Sequence, residues 1–274
     1  MKNKKFKVKQ IFSSLFSIAL IFFTLQTGYR AYTTYREVKL AEEATVIYET
    51  AKKEDRVLHR PIPSQSPALE AIPTPEPVEL IVRPEFEALR AQYNNDDIIG
   101  FISIEGTSIS YPVLQYFDND FYLSRDIHGR NNSAGSIFLD HENNIDALDM
   151  NTIIYGHNMK DDIMFHAIRN YKDYAFWQDH KYIQFNTIYD DMVFEVFAYY
   201  TPRDSFPYIY ANYEEHVFEN LLAQIKKMAY YDTGIDIGGN DKIIHLSTCT
   251  NTTDDTRMAI AGKLIELNGE KIQN

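Results

Sequence analysis

The one cysteine of this 274-residue chain, Cys249, closes an apolar run that begins at Lys242 and reads Ile243-Ile244-His245-Leu246-Ser247-Thr248. A polar stretch, 250–256, follows it, and Arg257 then opens a second apolar run. If the first run is a β-strand, alternation puts His245, Ser247 and Cys249 on one face and Ile244, Leu246 and Thr248 on the other. If the two runs pair as an antiparallel hairpin, Cys249 and Arg257 face each other across its mouth. A free cysteine often serves as a small buried hydrophobe. Here the thiol ends a strand beside a polar loop, with an arginine eight residues on, and both features favour chemistry. A thiol of ordinary pKa is only a few per cent thiolate at neutral pH, so attack on a carbonyl needs a base.

The base is sought among eight histidines. His59, His128, His141, His166, His180 and His216 lie in polar or amphipathic stretches and read as surface residues. His245 shares a face with Cys249 but lies inside the strand and is expected to pack in the barrel. His157 is different: it follows the apolar segment Ile153-Ile154-Tyr155-Gly156 and precedes the polar segment Asn158-Met159-Lys160-Asp161-Asp162. A histidine at a strand end can take the thiol proton and return it to a leaving amine. Arginine remains cationic and can donate hydrogen bonds to the oxyanion of a tetrahedral intermediate. Cys249, His157 and Arg257 thus supply nucleophile, acid–base and oxyanion stabiliser. No HxxxH or HExxH pair is present and there is only one cysteine, so no metal site, cofactor or disulfide framework is expected.

The elements that must position these residues are short strands at 98–104, 108–114, 136–139, 152–155, 182–188, 192–200, 242–248 and 258–267, with a turn at Glu105-Gly106. Helices are expected at about 85–93, 162–171 and 213–230, the last with Val217, Leu221, Ile225 and Met228 at helical spacing. Eight short strands with few long helices suggest a closed barrel or a sandwich.

Charge divides the chain. The net charge is −12, yet residues 1–29 hold five lysines and no acid. An acidic body argues against nucleic acid as a partner. Residues 10–29 carry no charge, and twenty helical residues span a bilayer's hydrocarbon core. With basic residues 1–9 cytoplasmic, a single-pass anchor would place the rest outside the cell. A cleaved signal peptide is the competing reading, though no small-x-small cleavage site stands out. Residues 31–60 read as an exposed helix. Seven of the ten prolines fall within 61–84, which makes that region an extended spacer. The expected organisation is a basic head (1–9), an anchor (10–29), a helix and spacer (30–85) and a catalytic domain (86–274).

The segment His245-Leu246-Ser247-Thr248-Cys249 resembles the T-L-x-T-C signature of class B sortases, membrane-anchored cysteine transpeptidases of Gram-positive bacteria, with His in place of the first Thr. The histidine signature is matched by Ile154-Tyr155-Gly156-His157-Asn158-Met159 and the arginine by Arg257. Segments 97–104, 109–115, 118–123 and 134–140 also match, so the likeness covers about 86–267. The long connection 201–241 resembles the class B insertion between strands 6 and 7. No Asp-Pro-aromatic lid, a feature of many pilin-polymerising sortases, precedes the domain.

The resemblance implies a mainly β fold, a closed eight-stranded sortase-type β-barrel with an N-terminal helix and a helix between strands 6 and 7. It implies that Cys249 cleaves an NPxT[G/N]-like C-terminal sorting signal after Thr, forms a thioester and passes the acyl group to an amine. The implied partners are surface proteins bearing that signal and a peptidoglycan precursor amine or, alternatively, a pilin lysine. By position in matching segments, Asn119, Leu123, Tyr155 and Ser247 resemble substrate-groove residues, and Tyr208, which lies in the insertion and in no matched segment, is a further candidate. Two other readings remain open: an L,D-transpeptidase-like peptidoglycan enzyme, disfavoured because Ser-Thr-Cys replaces that family's His-Gly-Cys, and a non-enzymatic surface binding module.

Overall fold

Eight strands fall where apolar residues dominate, and the ladder closes on itself. The computed structural model describes residues 2–54, 82–159, 161–249 and 255–272. The chain divides into two units, Met1–Leu40 and Ala41–Asn274. The strands are β1 (Ile98–Ser103), β2 (Ser110–Leu114), β3 (Phe138–Leu139), β4 (Asn151–Tyr155), β5 (Tyr182–Thr187), β6 (Asp191–Tyr200), β7 (Ile243–Cys249) and β8 (Arg257–Leu267), with a two-residue β9 (Glu270–Lys271) beside β8. Their spatial order is β6-β5-β1-β2-β3-β4-β7-β8-β9, and a further β6–β8 pairing closes an eight-stranded barrel. Closure removes the free edges that would otherwise template aggregation. Two ladders are parallel, β2 with β3 and β4 with β7, and the others are antiparallel.

The β1–β2 hairpin turns at Glu105-Gly106, with Gly106 at φ +76°, a left-handed conformation that glycine adopts without a Cβ penalty. The barrel interior is filled from one face of each strand, among them Ile102, Val113, Ile154, Phe194, Ile244 and Leu246. A second apolar layer forms outside β6, β7 and β8. It is covered by the β6–β7 connection, which carries helix α4 (Glu215–Met228). Phe218, Leu221, Leu222 and Ile225 are the buried face of α4. Val217, expected on that face, is exposed, and Phe218 takes its place, because 218, 221, 222 and 225 fall at i, i+3, i+4 and i+7 on one helix face; its ring stacks on Tyr213.

Helix α1 (Lys2–Glu54) runs through the region expected to be an exposed helix, though residues 55–60 lie outside the described residues. It is not exposed throughout. Ala44 and Tyr48 are buried, with Tyr48 stacked on Phe101 at 4.4 Å and its hydroxyl accepting a 2.6 Å bond from Asn186 Nδ2. Among the described residues no helix is long and apolar enough to cross a membrane. The anchor expected at 10–29 starts on residues 10–14, whose side chains lie outside those described, as does spacer segment 61–81. Helix α2 (Pro84–Tyr93) opens with proline at N1, where no backbone donor is needed, and buries Phe86, Leu89 and Tyr93.

The helix expected at 162–171 divides differently. Asp162 and Met164 take positive φ, which excludes a helix there. A 3₁₀ helix follows at His166–Lys172, and helix α3 (Tyr174–Asp179) begins after Asp173, whose side chain caps Ala175 N. Trp177 of α3 anchors to the barrel by donating from Nε1 to the Val196 carbonyl at 2.7 Å.

Candidate active site

Three adjacent strands bring the proposed chemistry to one rim. β4 and β7 run parallel with Tyr155 opposite Ser247. His157 lies two residues beyond Tyr155, and Cys249 two residues beyond Ser247, so both reach the same end of the barrel on neighbouring strands. On the other side of β7, the antiparallel partner β8 places Arg257 directly opposite Cys249. Adjacent strands lie about 4.8 Å apart, so the strand of Cys249 is one spacing from the strand that leads to His157 and one from that of Arg257. The apolar β-branched residues Ile153, Ile154, Ile243 and Ile244 explain why these segments are buried strands.

His157 is held from two sides. Gly156 ahead of it is pressed so closely on Ile137 and Phe165 that a Cβ would overlap both. Gly156 N also donates to the Ser247 carbonyl, tying the end of β4 to β7. The imidazole Nε2 is 2.7 Å from the Leu123 carbonyl. A carbonyl only accepts, so Nε2 carries a proton and Nδ1 is the nitrogen left to exchange one. Leu123, assigned from sequence to the groove, thus also orients His157 through its backbone.

Arg257 has a carboxylate partner that the sequence did not single out. Its Nη2 lies 3.2 Å from Asp204 Oδ2, and both side chains are partly exposed. The backbone around this pair is clasped. Arg257 N donates to the Pro202 carbonyl, Asp204 N donates to the Asp255 carbonyl, and Arg203 bridges Thr256. The first residues of the β6–β7 connection therefore brace the start of β8. Nothing in the string Arg203-Asp204-Ser205 marks this role, because the pairing is made between segments roughly fifty residues apart in sequence.

The remaining four candidates fall into two hydrogen-bonded groups. Asp140, buried at the end of β3, accepts from Asn119 Nδ2 and from the Tyr155 hydroxyl at Oδ2, each at 2.9 Å. Burial, and then the adjacent Asp140 carboxylate, push the Tyr155 phenol well above its ordinary pKa, so it remains a donor. In the second group the Tyr208 hydroxyl and Ser247 Oγ lie 2.7 Å apart, both buried. Ser247 is on the outer face of β7, roofed by the β6–β7 connection. His245 shares that face. It is not inside the barrel, where Ile244 and Leu246 point, but beneath Tyr200 and Tyr208, whose ring centres lie 6.0 and 5.3 Å away. The strand's alternation, which puts it in phase with Ser247, decides this.

Sequence reasoning missed Asp140, Asn151 and Asp204. For Asp140 a signal was available, since it closes a matched segment at a strand end. Among the described residues no group of three or more His, Cys, Asp and Glu side chains is placed to hold a metal ion.

Residues 102–265 match the sortase domain family. The chain is 40% identical over 187 residues to sortase B of Listeria monocytogenes, covering 67% of this chain and 75% of that protein. It is 34% identical over 189 residues to sortase B of Staphylococcus aureus, covering 68% and 77%. Solved structures agree. Sortase B of Bacillus anthracis in complex with AAEK2 superposes with a TM-score of 0.69 at 32% identity, over 87% of this chain and 98% of that one. A Staphylococcus aureus sortase B–substrate complex gives 0.63 at 33% identity, over 68% and 87%. A sortase B complexed with triglycine gives 0.69 at 27% identity, over 85% and 99%. With sequence and fold in agreement across the barrel, the chain belongs to the sortase family, as a cysteine transpeptidase of the sortase B type.

Proposed function

We propose that this sortase cleaves an NPxT[G/N]-like C-terminal sorting signal after its threonine, with Cys249 as nucleophile, His157 as acid–base and Arg257 as oxyanion donor. The thiol proton passes to His157 as sulfur attacks the threonine carbonyl carbon. The developing oxyanion is met by N–H donors of Arg257. The carbon–nitrogen bond then breaks, His157 returns the proton to the departing amine, and a thioester remains on Cys249. A cell-wall amine attacks that thioester, forms the new amide and frees the thiol, which makes the kinetics ping-pong. Asn119, Leu123, Tyr155, Ser247 and Tyr208 line the groove for the signal, and residues 10–29 anchor the chain with its catalytic domain outside the cell. Support for an amine acceptor comes from the related sortase B complexed with triglycine, and for a peptide donor from the related substrate complex.

The observation that carries this reading is the register pairing Cys249 with Arg257 on β7 and β8, while β4 delivers His157 from the opposite side of β7. The test is mass spectrometry of an NPxT[G/N] peptide incubated with the protein and triglycine. Cleavage after threonine and a glycine adduct are expected. A Cys249→Ala variant that still cleaves there overturns the reading. Protease protection of the carboxyl-terminal domain in right-side-out vesicles, with residues 1–9 accessible outside, would overturn the orientation.

A further inference from the structure

His245 stands where the resembling signature has threonine, and nothing in the reaction uses it. It is fully buried in β7, on the same strand face as Ser247 two residues on and four residues before Cys249 in the strand. Its Nδ1 lies 2.7 Å from Asn151 Oδ1. The amide of Asn151 cannot be turned the other way, because its Nδ2 donates to the carbonyls of Tyr208 at 2.8 Å and Tyr210 at 2.9 Å. Oδ1 must therefore accept, so Nδ1 of His245 carries the proton. Nε2 is left as a bare acceptor, and among the described residues it has no hydrogen-bond partner. Among the described residues, the polar work of this side chain is one donated bond to Asn151.

That bond fixes the orientation of an amide that holds the roof of the site. Asn151 is the first residue of β4 and is itself fully buried. Its backbone N donates to the Ala211 carbonyl, so one residue grips the chain at Tyr208, Tyr210 and Ala211. The chain so gripped carries Tyr208, whose hydroxyl meets Ser247 Oγ. The ring of Tyr208 also packs on the His245 ring, so the imidazole supports Tyr208 by direct contact and, through Asn151, by hydrogen bonding. Both ends of this linkage are buried, so water cannot replace a lost bond cheaply.

We infer that His245 and Asn151 are positioning residues that fix the β6–β7 connection over the nucleophile strand and so set the wall of the substrate groove at Tyr208. This rests on the reading of Tyr208 and Ser247 as groove residues. The unit acts on substrate binding rather than on the chemical step, because it grips the connection at Tyr208, Tyr210 and Ala211 and not at Pro202 and Asp204, which brace Arg257.

The test uses the full chain in detergent micelles, with steady-state cleavage of an NPxT[G/N] peptide, thermal unfolding, and the rate at which a small methanethiosulfonate modifies Cys249. His245→Leu keeps most of the volume and removes the donor. Its KM should rise about tenfold, with kcat and thiol modification within about threefold of the native protein. His245→Asn restores a donor near the Nδ1 position and should recover most of that loss. Unchanged KM in His245→Leu overturns the inference, as does His245→Asn giving no recovery at a comparable unfolding temperature. Tyr208→Phe, measured in parallel, separates the two readings. If its KM is unchanged, the groove assignment fails. If its KM rises while that of His245→Leu does not, the positioning unit alone fails. Should His245→Leu not fold, ¹⁵N spectra of histidine-labelled native protein decide. An Nδ1–H tautomer for His245 is expected, and an Nε2–H tautomer overturns the inference.

Discussion

Cys249 and Arg257 are paired directly opposite each other in the antiparallel ladder of β7 and β8. The pairing puts a permanent cation across the strand from the position of the proposed nucleophile, at the rim that the end of β4 also reaches. An oxyanion donor stabilises the transition state far more than bound substrate, so its loss should appear in kcat. Arg257→Ala is expected to lower kcat about a hundredfold or more with little change in KM. Steady-state kinetics check this, with thiol titration showing that Cys249 stays reactive.

Gly135 lies under His157, the proposed acid–base, at φ +61°, and a Cβ there would fall 2.7 Å from the carbonyl oxygens of Tyr122 and Leu123 and 3.0 Å from His157 Cδ2. Gly135→Ala thus both strains the backbone and displaces the carbonyl that His157 donates to. Stability should fall by roughly 1–3 kcal/mol, and kcat by about tenfold. Urea unfolding read beside kcat distinguishes the two effects.

Asp140 joins Asn119 to Tyr155 through one carboxylate oxygen. Asp140→Ala leaves both donors without that acceptor in a largely buried setting, costing about 1–3 kcal/mol. KM for the sorting peptide should rise as both side chains lose their fixed positions. Asp140→Asn keeps one acceptor and should fall between the native protein and the alanine variant in the same assays.

Acid stability should carry a His245 component. Burial lowers this imidazole's pKa from 6.5 to about 3, and the titratable side chains packed on it are the phenols of Tyr200 and Tyr208, which are neutral in that range. The unfolded chain binds a proton near pH 6.5 that the folded chain refuses until about pH 3. The native state therefore loses stability as pH falls through that window, by at most about 1.4 kcal/mol per pH unit from this group. Denaturant unfolding at several pH values should show a shallower acid slope in His245→Asn than in the native protein. Equal slopes would place the proton uptake elsewhere.

Much of this protein was legible along the chain. Eight strands announced themselves because a strand buried on one or both faces must carry apolar, often β-branched residues in short runs between polar turns. Cys249, His157 and Arg257 stood out because each sits where an apolar run meets a polar one, and alternation alone placed Ser247 in phase with Cys249. The β7–β8 hairpin could be drawn because its two strands are nearly consecutive. What spacing could not show was any contact between distant segments. That β4 lies parallel to β7, so that His157 reaches the rim beside Cys249, depends on barrel closure. That Asp204 meets Arg257, and that Asp140 gathers Asn119 and Tyr155, depends on loops docking across the rim. His245 illustrates the difference best: its buried place in a strand followed from its neighbours, but the side of the strand that would be roofed did not. Local sequence determines periodicity and burial, whereas the identity of what covers each face is set only when the β6–β7 connection packs down on the closed barrel.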